Sequence, residues 1–371
     1  MKKKNREIKT MINRGFLASV GLLCATLVNC SSATAAEKTL FNQLVESARG
    51  EMAKTQGKLS ILLDLSAKEV TPVLRAFQKE FSFVKDTIYT RMNRTEEFQR
   101  LILESKAGRT PEVDIGHAQF EAWTELRDAG MFVKPPFPYQ QLAKSLPPDW
   151  GSLDSRAIDA NGYYLAASAL IRVIAYNKNI VPSNKVPKGL NDCLDPAWRG
   201  KFLYSTRPLM VALQHDPKTR EAQLKWLKGL VENKAVFAGG QTEGLEKVIA
   251  GEYALFCGVN YNTTLRLIKE GAPLGIALPD PYALDFAQRI HVFKGSKSPA
   301  TGQLYALWMA TKGQPAVEEY MDRGFPWNPK TGAFQLAKGK YVAICDPGCA
   351  AKMDQYLEEH AKLVQLPGGK K

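Results

Sequence analysis

Histidine is scarce in this 371-residue chain, with only His117, His215, His291 and His360. None of them sits in a recognisable motif: there is no His-Glu-x-x-His pair, which excludes a zinc hydrolase of that kind. A Gly-x-Ser-x-Gly elbow is also missing, so the usual serine-hydrolase arrangement is absent. Without a nucleophile, base and orienting acid in recognisable spacing, the sequence argues against an enzyme. Long apolar runs are lacking too. Phe16 to Val28 covers 13 residues, short of the ~20 needed to cross ~30 Å of hydrocarbon, and no other stretch reaches spanning length. Twin arginines, short-period repeats and low-complexity segments other than the Gly/Lys tail are absent as well.

What is present begins with an export signal. Lys2, Lys3, Lys4, Arg6, Lys9 and Arg14 form a positive leader, the apolar run follows, and Ala33-Thr34-Ala35 offers the small residues a signal peptidase requires. Residues 1–36 therefore read as a cleaved signal peptide, with a membrane anchor as the alternative that the run length opposes. The expected location is the periplasm. Leu27-Val28-Asn29-Cys30 approximates a lipoprotein box, with bulky Asn29 where Gly or Ala is usual, so a lipid anchor at Cys30 is the alternative to a freely diffusing protein. About 335 residues remain after cleavage, more than one core usually holds, and two domains or lobes are expected. The full chain carries a net +13, and +8 once the leader's six Lys/Arg and one Glu are removed. Such a surface hints at an anionic ligand or anionic lipid surroundings. Export argues against nucleic acid as the partner.

Of six cysteines, Cys24 leaves with the leader, and Cys30 leaves too if cleavage follows Ala35. Cys193, Cys257, Cys345 and Cys349 remain, an even number in an oxidising compartment. A Pro-Gly turn between Cys345 and Cys349 favours a local disulfide over a metal site, because no nearby His or second Cys pair completes four ligands. Cys193 and Cys257 are too far apart in sequence to be paired by inspection. Cys257 lies in an apolar run and reads as a buried free thiol.

Short apolar strands alternate with amphipathic helices. Leu59–Leu65 reads as a buried strand, followed by a helix through Phe81 with Val70, Val73, Leu74 and Phe77 at helical spacing and Pro72 in its first turn. Thr87–Thr90 is a second strand, Thr95 a cap for the next helix, and Glu112–Ile115 a third strand. After a proline-rich stretch, Pro135–Pro148, comes a long β-rich segment, Tyr163–Tyr176. Further strands are expected at Lys201–Tyr204, Val236-Phe237, Ala254–Val259 and Ile290–Phe293, with helices at about 217–232, 242–250 and 301–311. Strand–helix–strand alternation of this kind implies parallel sheets covered by helices, here in two α/β lobes.

Several local signatures occur in a characteristic order: Val173-Ile174-Ala175-Tyr176-Asn177, then LNDCLDPAWRGKF over Leu190–Phe202, VIAGE over Val248–Glu252, EGAPL over Glu270–Leu274 and GSKSP over Gly295–Pro299. Together they resemble the periplasmic solute-binding proteins of ABC importers, in the two-lobed group that includes ferric-iron, polyamine, thiamine and aminoethylphosphonate binders. The resemblance implies an α/β, type II periplasmic-binding-protein fold, with hinge strands and a ligand cleft between the lobes. Lobe 1 would comprise residues 37–168 and 286–371, and lobe 2 residues 169–285. The protein would be a monomer without a cofactor, serving a membrane permease and ATPase.

In doubly wound lobes, ligands bind at the carboxyl ends of strands, where helix N-termini offer free N–H groups. That rule selects Ser66, Arg91, Arg94, Thr95 and His117 in one lobe, and Ser205, Thr206, Arg207, Gln241, Thr242, Asn260 and Tyr261 in the other. Ser66, Thr95 and Thr242 also suit plain helix caps, and Arg172 suits a structural ion pair in the hinge strand. Iron-binding members usually carry two adjacent tyrosines near the Tyr261 position, whereas here the neighbour is Asn262. The expected solute is therefore a small organic anion, a carboxylate or phosphonate, suited to Arg, Ser and Thr donors. Ferric iron, held by Tyr261 and His117, is the alternative, and a sensory partner role is a further one. Polyamine is disfavoured because no acidic cluster appears at the predicted strand ends.

Overall fold

The computed structural model describes residues 39–91, 96–117, 126–207 and 209–364. The leader with Cys30, and the candidates Arg94 and Thr95, lie outside the described residues. The first sheet is built on β1 (Lys58–Leu63), whose apolar residues are buried. It is flanked in parallel by β2 (Asp86–Arg91) and β3 (Ile115–His117). Beside β3 runs β12 (Arg289–Phe293), antiparallel, which also pairs with β4 (Phe132–Val133) and β5 (Tyr164–Ala166).

The second sheet centres on β6 (Ala169–Asn177), antiparallel to β9 (Leu255–Asn260), β10 (Leu274–Ala277) and β11 (Tyr282–Phe286). Next to β9 lies β7 (Phe202–Ser205), and beyond it β8 (Val236–Ala238), both parallel to β9. At the opposite edge β13 (Val342–Cys345) pairs in parallel with β11. These are the two mixed α/β sheets of a two-lobed molecule.

Helices cover the sheets for reasons visible in their sequences. Ser66 opens the helix Ala67–Glu80 with a reciprocal capping box: its hydroxyl accepts the Glu69 N–H while the Glu69 carboxylate accepts the Ser66 N–H. The buried stripe Val70, Val73, Leu74 and Phe77 follows at helical spacing. Because the cap sits at Ser66, Pro72 falls inside the helix and not in the first turn as expected. The backbone bond it forfeits would have gone to the carbonyl of Lys68, an exposed residue. Helix Pro299–Ala310 is apolar on nearly all sides and buried. Its first N–H groups, at Ala300 and Thr301, donate to the Glu51 carboxylate of helix Leu40–Lys54 at 2.9 and 2.8 Å.

The β-rich segment Tyr163–Tyr176 forms two strands, because the chain leaves the first sheet at Ala167-Ser168 and enters the second at Ala169. The return crossing is Ala287-Gln288. The two crossings are bonded to each other, Ala167 N–H to Gln288 O at 2.7 Å and Ala287 N–H to Ser168 O at 3.0 Å, and the Ser168 hydroxyl bonds the Gln288 side chain. A third crossing leads from helix Gln314–Met321 to β13. The assignment of residues 286–371 to the first lobe fails for its last part. Cys345, Cys349, Tyr356 and Val364 are buried in one apolar cluster with Cys193, Phe202 and Tyr204 of the second sheet.

The cysteines give one agreement and one correction. Cys345 and Cys349 form the local disulfide. Cys257 is not a free thiol, because Cys193 and Cys257 are also disulfide-bonded, with Cα atoms 6.7 Å apart across 64 residues of sequence. The turn Leu190–Leu194 is fastened beneath the sheet by the Trp226 indole N–H, which donates to Leu190 O at 2.8 Å, and this brings Cys193 against β9.

Candidate functional site

Strand directions decide where the candidates meet. β7, β8, β9, β11 and β13 all run opposite to β6, so their carboxyl ends lie beside the amino end of β6, at the crossings. In the first sheet, β3 runs opposite to β12, so the carboxyl end of β3 lies beside Arg289, which follows the return crossing. Carboxyl ends from both sheets thus face the same gap.

On the first-sheet side, His117 is buried. Its Nδ1 accepts the Arg289 N–H at 2.9 Å, and its Nε2 lies 3.9 Å from Asp64 Oδ1. Burial lowers the His117 pKa to about 4, assisted by the Arg289 charge and opposed by Asp64. A neutral ring whose Nδ1 is an acceptor is locked into the sheet, which corrects the expectation of a ligand-facing histidine. Ser66 is occupied by its cap: its hydroxyl donates to Glu69 at 2.6 Å. Arg91 ends β2 and is exposed.

On the second-sheet side, the buried Ser205 hydroxyl accepts the Arg207 N–H at 3.1 Å, and the Thr206 N–H donates to Ala238 O at 3.0 Å. Arg207 itself is exposed. The Gln241 side chain accepts the Asn260 N–H at 2.8 Å, tying one strand end to the next helix. Thr242 is exposed and is not a cap, since Gly240 occupies that position. Asn260 accepts from the Arg172 guanidinium, which also pairs with Asp285. Arg172 is thus the structural ion-pair partner at the hinge, with a side chain 8% exposed.

Tyr261 does not end β9; it is the first residue of helix Tyr261–Lys269 and is buried. Its hydroxyl is turned toward Glu318, whose carboxylate accepts the N–H groups of Gly324 at 2.9 Å and Ala333 at 3.2 Å. Burial, followed by the charges of Glu318 and Asp322, raises the Tyr261 pKa well above the ordinary phenol value. Tyr261 and His117 therefore have separate partners. Among the described residues no group of three His, Cys, Asp or Glu side chains could hold a metal ion. Asp64, Asp285, Glu318 and Asp346 escaped the sequence reading. Asp64 directly follows the first apolar strand and could have been found from that position; the others meet the gap only through long-range pairing.

A family profile described as bacterial extracellular solute-binding protein matches residues 73–340. The chain belongs to this family: it is a solute-binding protein and not an enzyme. Solved structures agree on the fold. The chain is similar to ferric iron-binding protein A of Mannheimia haemolytica in an open conformation, at 14% identity over 83% of this chain and 98% of that one, with a TM-score of 0.64. It is also similar to the substrate-binding protein of an ABC transporter from Agrobacterium tumefaciens, at 17% identity over 83% and 96%, with a TM-score of 0.61. A ferric binding protein from Campylobacter jejuni matches at 19% identity over 83% and 98%, with a TM-score of 0.58. Together with the two sheets described above, these show the two-lobed, type II periplasmic-binding-protein fold.

Proposed function

We propose that the protein captures a small organic anion, a carboxylate or phosphonate, in the gap between its two sheets and delivers it to the permease and ATPase of an ABC importer. It works in the periplasm as a monomer. The observation that carries this reading is the pair Arg91 and Arg207. Each stands at the carboxyl end of a strand facing the gap, is exposed, and has no carboxylate within ion-pair distance among the described residues. Guanidinium forks suit carboxylate and phosphonate oxygens. Closure over such a ligand draws on contacts to both lobes, which favours the closed member of a hinge equilibrium.

Ferric iron is the second reading, favoured by the iron-binding proteins among the similar structures. It is opposed by Tyr261, whose phenol is held protonated by burial and by acidic neighbours. A thermal-shift screen of the mature protein against pentanoate, butylphosphonate, simple amines and Fe(III) separates the two. Stabilisation by the organic anions is expected, amounting to about 2.7 kcal/mol at a hundredfold excess over Kd. A response to Fe(III) alone, lost in Tyr261→Phe, would refute the organic-anion reading. Full affinity in Arg207→Ala would remove that residue from the site.

A further inference from the structure

Arg172 has a partner that an ion pair alone does not need. It lies directly across from Asn260 in the β6–β9 register, and Asp285 on β11 is opposite Leu170, two residues earlier on β6. Cross-strand partners share a face of the sheet, as do residues two apart, so the three side chains stand together on one face at the crossing end. The guanidinium is divided between them: Nη1 donates to Asn260 Oδ1 and Nη2 to Asp285 Oδ2. Its Nε is buried without a hydrogen-bond partner among the described residues. A buried ion pair can often be replaced by apolar side chains of similar volume without loss of stability, and a buried unpaired N–H is itself destabilising. Stability of the fold is therefore a weak reason for this trio.

The trio fixes one amide. A guanidinium carries donors only, so the carboxamide atom that meets it must be the oxygen. That orientation turns the Asn260 NH2 group away from Arg172. Nδ2 makes no hydrogen bond among the described residues, and Asn260 is only half-buried, so its two N–H donors stay open. An Asn directly before a helix ordinarily caps the first turn, but Asn260 does not cap helix Tyr261–Lys269, because its oxygen is taken. The backbone is pinned as well, by the Asn260 N–H bond to the Gln241 side chain.

These donors stand beside Arg207. β7 and β9 are adjacent and parallel, with Leu203 opposite Phe256. The line of β7 continues past Ser205, since the Thr206 N–H still bonds Ala238 O of β8. Counting forward along both strands places Arg207 level with Asn260, on strands about 4.8 Å apart. One anionic head can thus take a guanidinium from the first and an amide from the second.

We propose that Arg172 is a positioning residue: it holds the Asn260 carboxamide with its oxygen inward, so that the NH2 group donates to the solute's anionic head. The inference rests on the organic-anion reading above and adds to it a neutral donor, aimed by a buried cation, beside Arg207.

The test is calorimetric titration of the mature protein with pentanoate and butylphosphonate. Arg172→Met combined with Asp285→Leu removes the ion pair as a unit and leaves no unpaired charge. This variant is expected to keep the Tm of the unaltered protein while both probes bind about tenfold more weakly, the loss of one hydrogen bond to a charged group. Asn260→Leu alone is expected to give the same loss, and adding the pair replacement to it no further loss. Full affinity in the pair variant overturns the positioning role. Losses that multiply when all three changes are combined show that Arg172 acts other than through Asn260, and overturn it as well. Asparagine-selective NMR labelling tests the unaltered fold directly: the Asn260 side-chain NH2 signal, identified by its loss in Asn260→Leu, is expected to shift as pentanoate saturates the protein. A signal that stays in place at saturation overturns the proposal whatever the variants do. Binding of neither probe to the unaltered protein removes the organic-anion reading and this inference with it.

Discussion

Replacing Cys193 and Cys257 together by alanine measures how strongly the second sheet depends on a bond that sequence distance concealed. The two cysteines are fully buried and 64 residues apart. In the chain-entropy account a cross-link of that span restricts the unfolded chain by about 4 kcal/mol, against about 2 kcal/mol for the Cys345–Cys349 link with its separation of four. At about 2.1 cal/mol/K per residue, a mature chain of about 335 residues has an unfolding entropy near 0.7 kcal/mol/K, so 4 kcal/mol corresponds to a Tm lower by about 6 °C. Trp198 and Trp226 belong to the same apolar cluster as Cys193 and Cys257, and Trp150 and Trp308 to another, so tryptophan fluorescence in a urea titration follows the unfolding of the whole chain. The bond also steadies β9 three residues before Asn260, and solute affinity is expected to weaken in parallel. A loss below about 1 kcal/mol, or a double variant with unchanged affinity, would refute both steps. Equal effects from the double variants of the two disulfides would refute the dependence on span.

Two further outcomes follow from the interior. His117 and His360 are buried with pKa values of about 4, and His291 is lowered as well. Between pH 6.5 and 4 the unfolded chain binds protons that the folded chain refuses, so stability rises with pH across that window. Each histidine depressed to about 4 contributes on the order of 3 kcal/mol that is present above pH 6.5 and lost by pH 4. Urea titrations at pH 7.5 and 5 should show the decline, and His360→Gln should flatten the slope; an unchanged slope would mean that His360 is protonated in the folded protein. Gly302→Ala sets helix propensity against packing: alanine gains about 1 kcal/mol in a helix, but its Cβ would stand 2.1 Å from Ile115 Cγ2. Overpacking of that kind costs about 1–3 kcal/mol, so a net loss of stability is expected, and a higher Tm would show that the contact yields freely.

How much was legible in the sequence depends on the range of each interaction. The apolar run Leu59–Leu65, the stripe from Val70 to Phe77 and the Ser66 cap are local patterns with periods of two or 3.6 residues, so strand, helix and boundary follow from neighbours in the chain. The Cys345–Cys349 link is equally local, and the ordered family signatures carried the two-lobed fold. Crossings and partners are different, because a strand's place in a sheet is set by residues far away. For that reason the β-rich segment Tyr163–Tyr176 shows its division into β5 and β6 only once Ala167 and Ser168 are seen bonding to the return crossing. The same holds for His117, held by Arg289, and for Tyr261, turned toward Glu318. The expectation of an anionic solute rests on arginines at predicted strand ends, while Asp346 stayed hidden because the place of β13 is set only by its pairing with β11. Sequence by itself carried the leader pattern from which export is expected, the α/β alternation and the absence of a catalytic motif, all of which rest on short-range pattern. Tertiary structure alone decided which strand ends share the gap, which cysteines pair and which polar groups are already occupied, because those depend on pairings between distant parts of the chain.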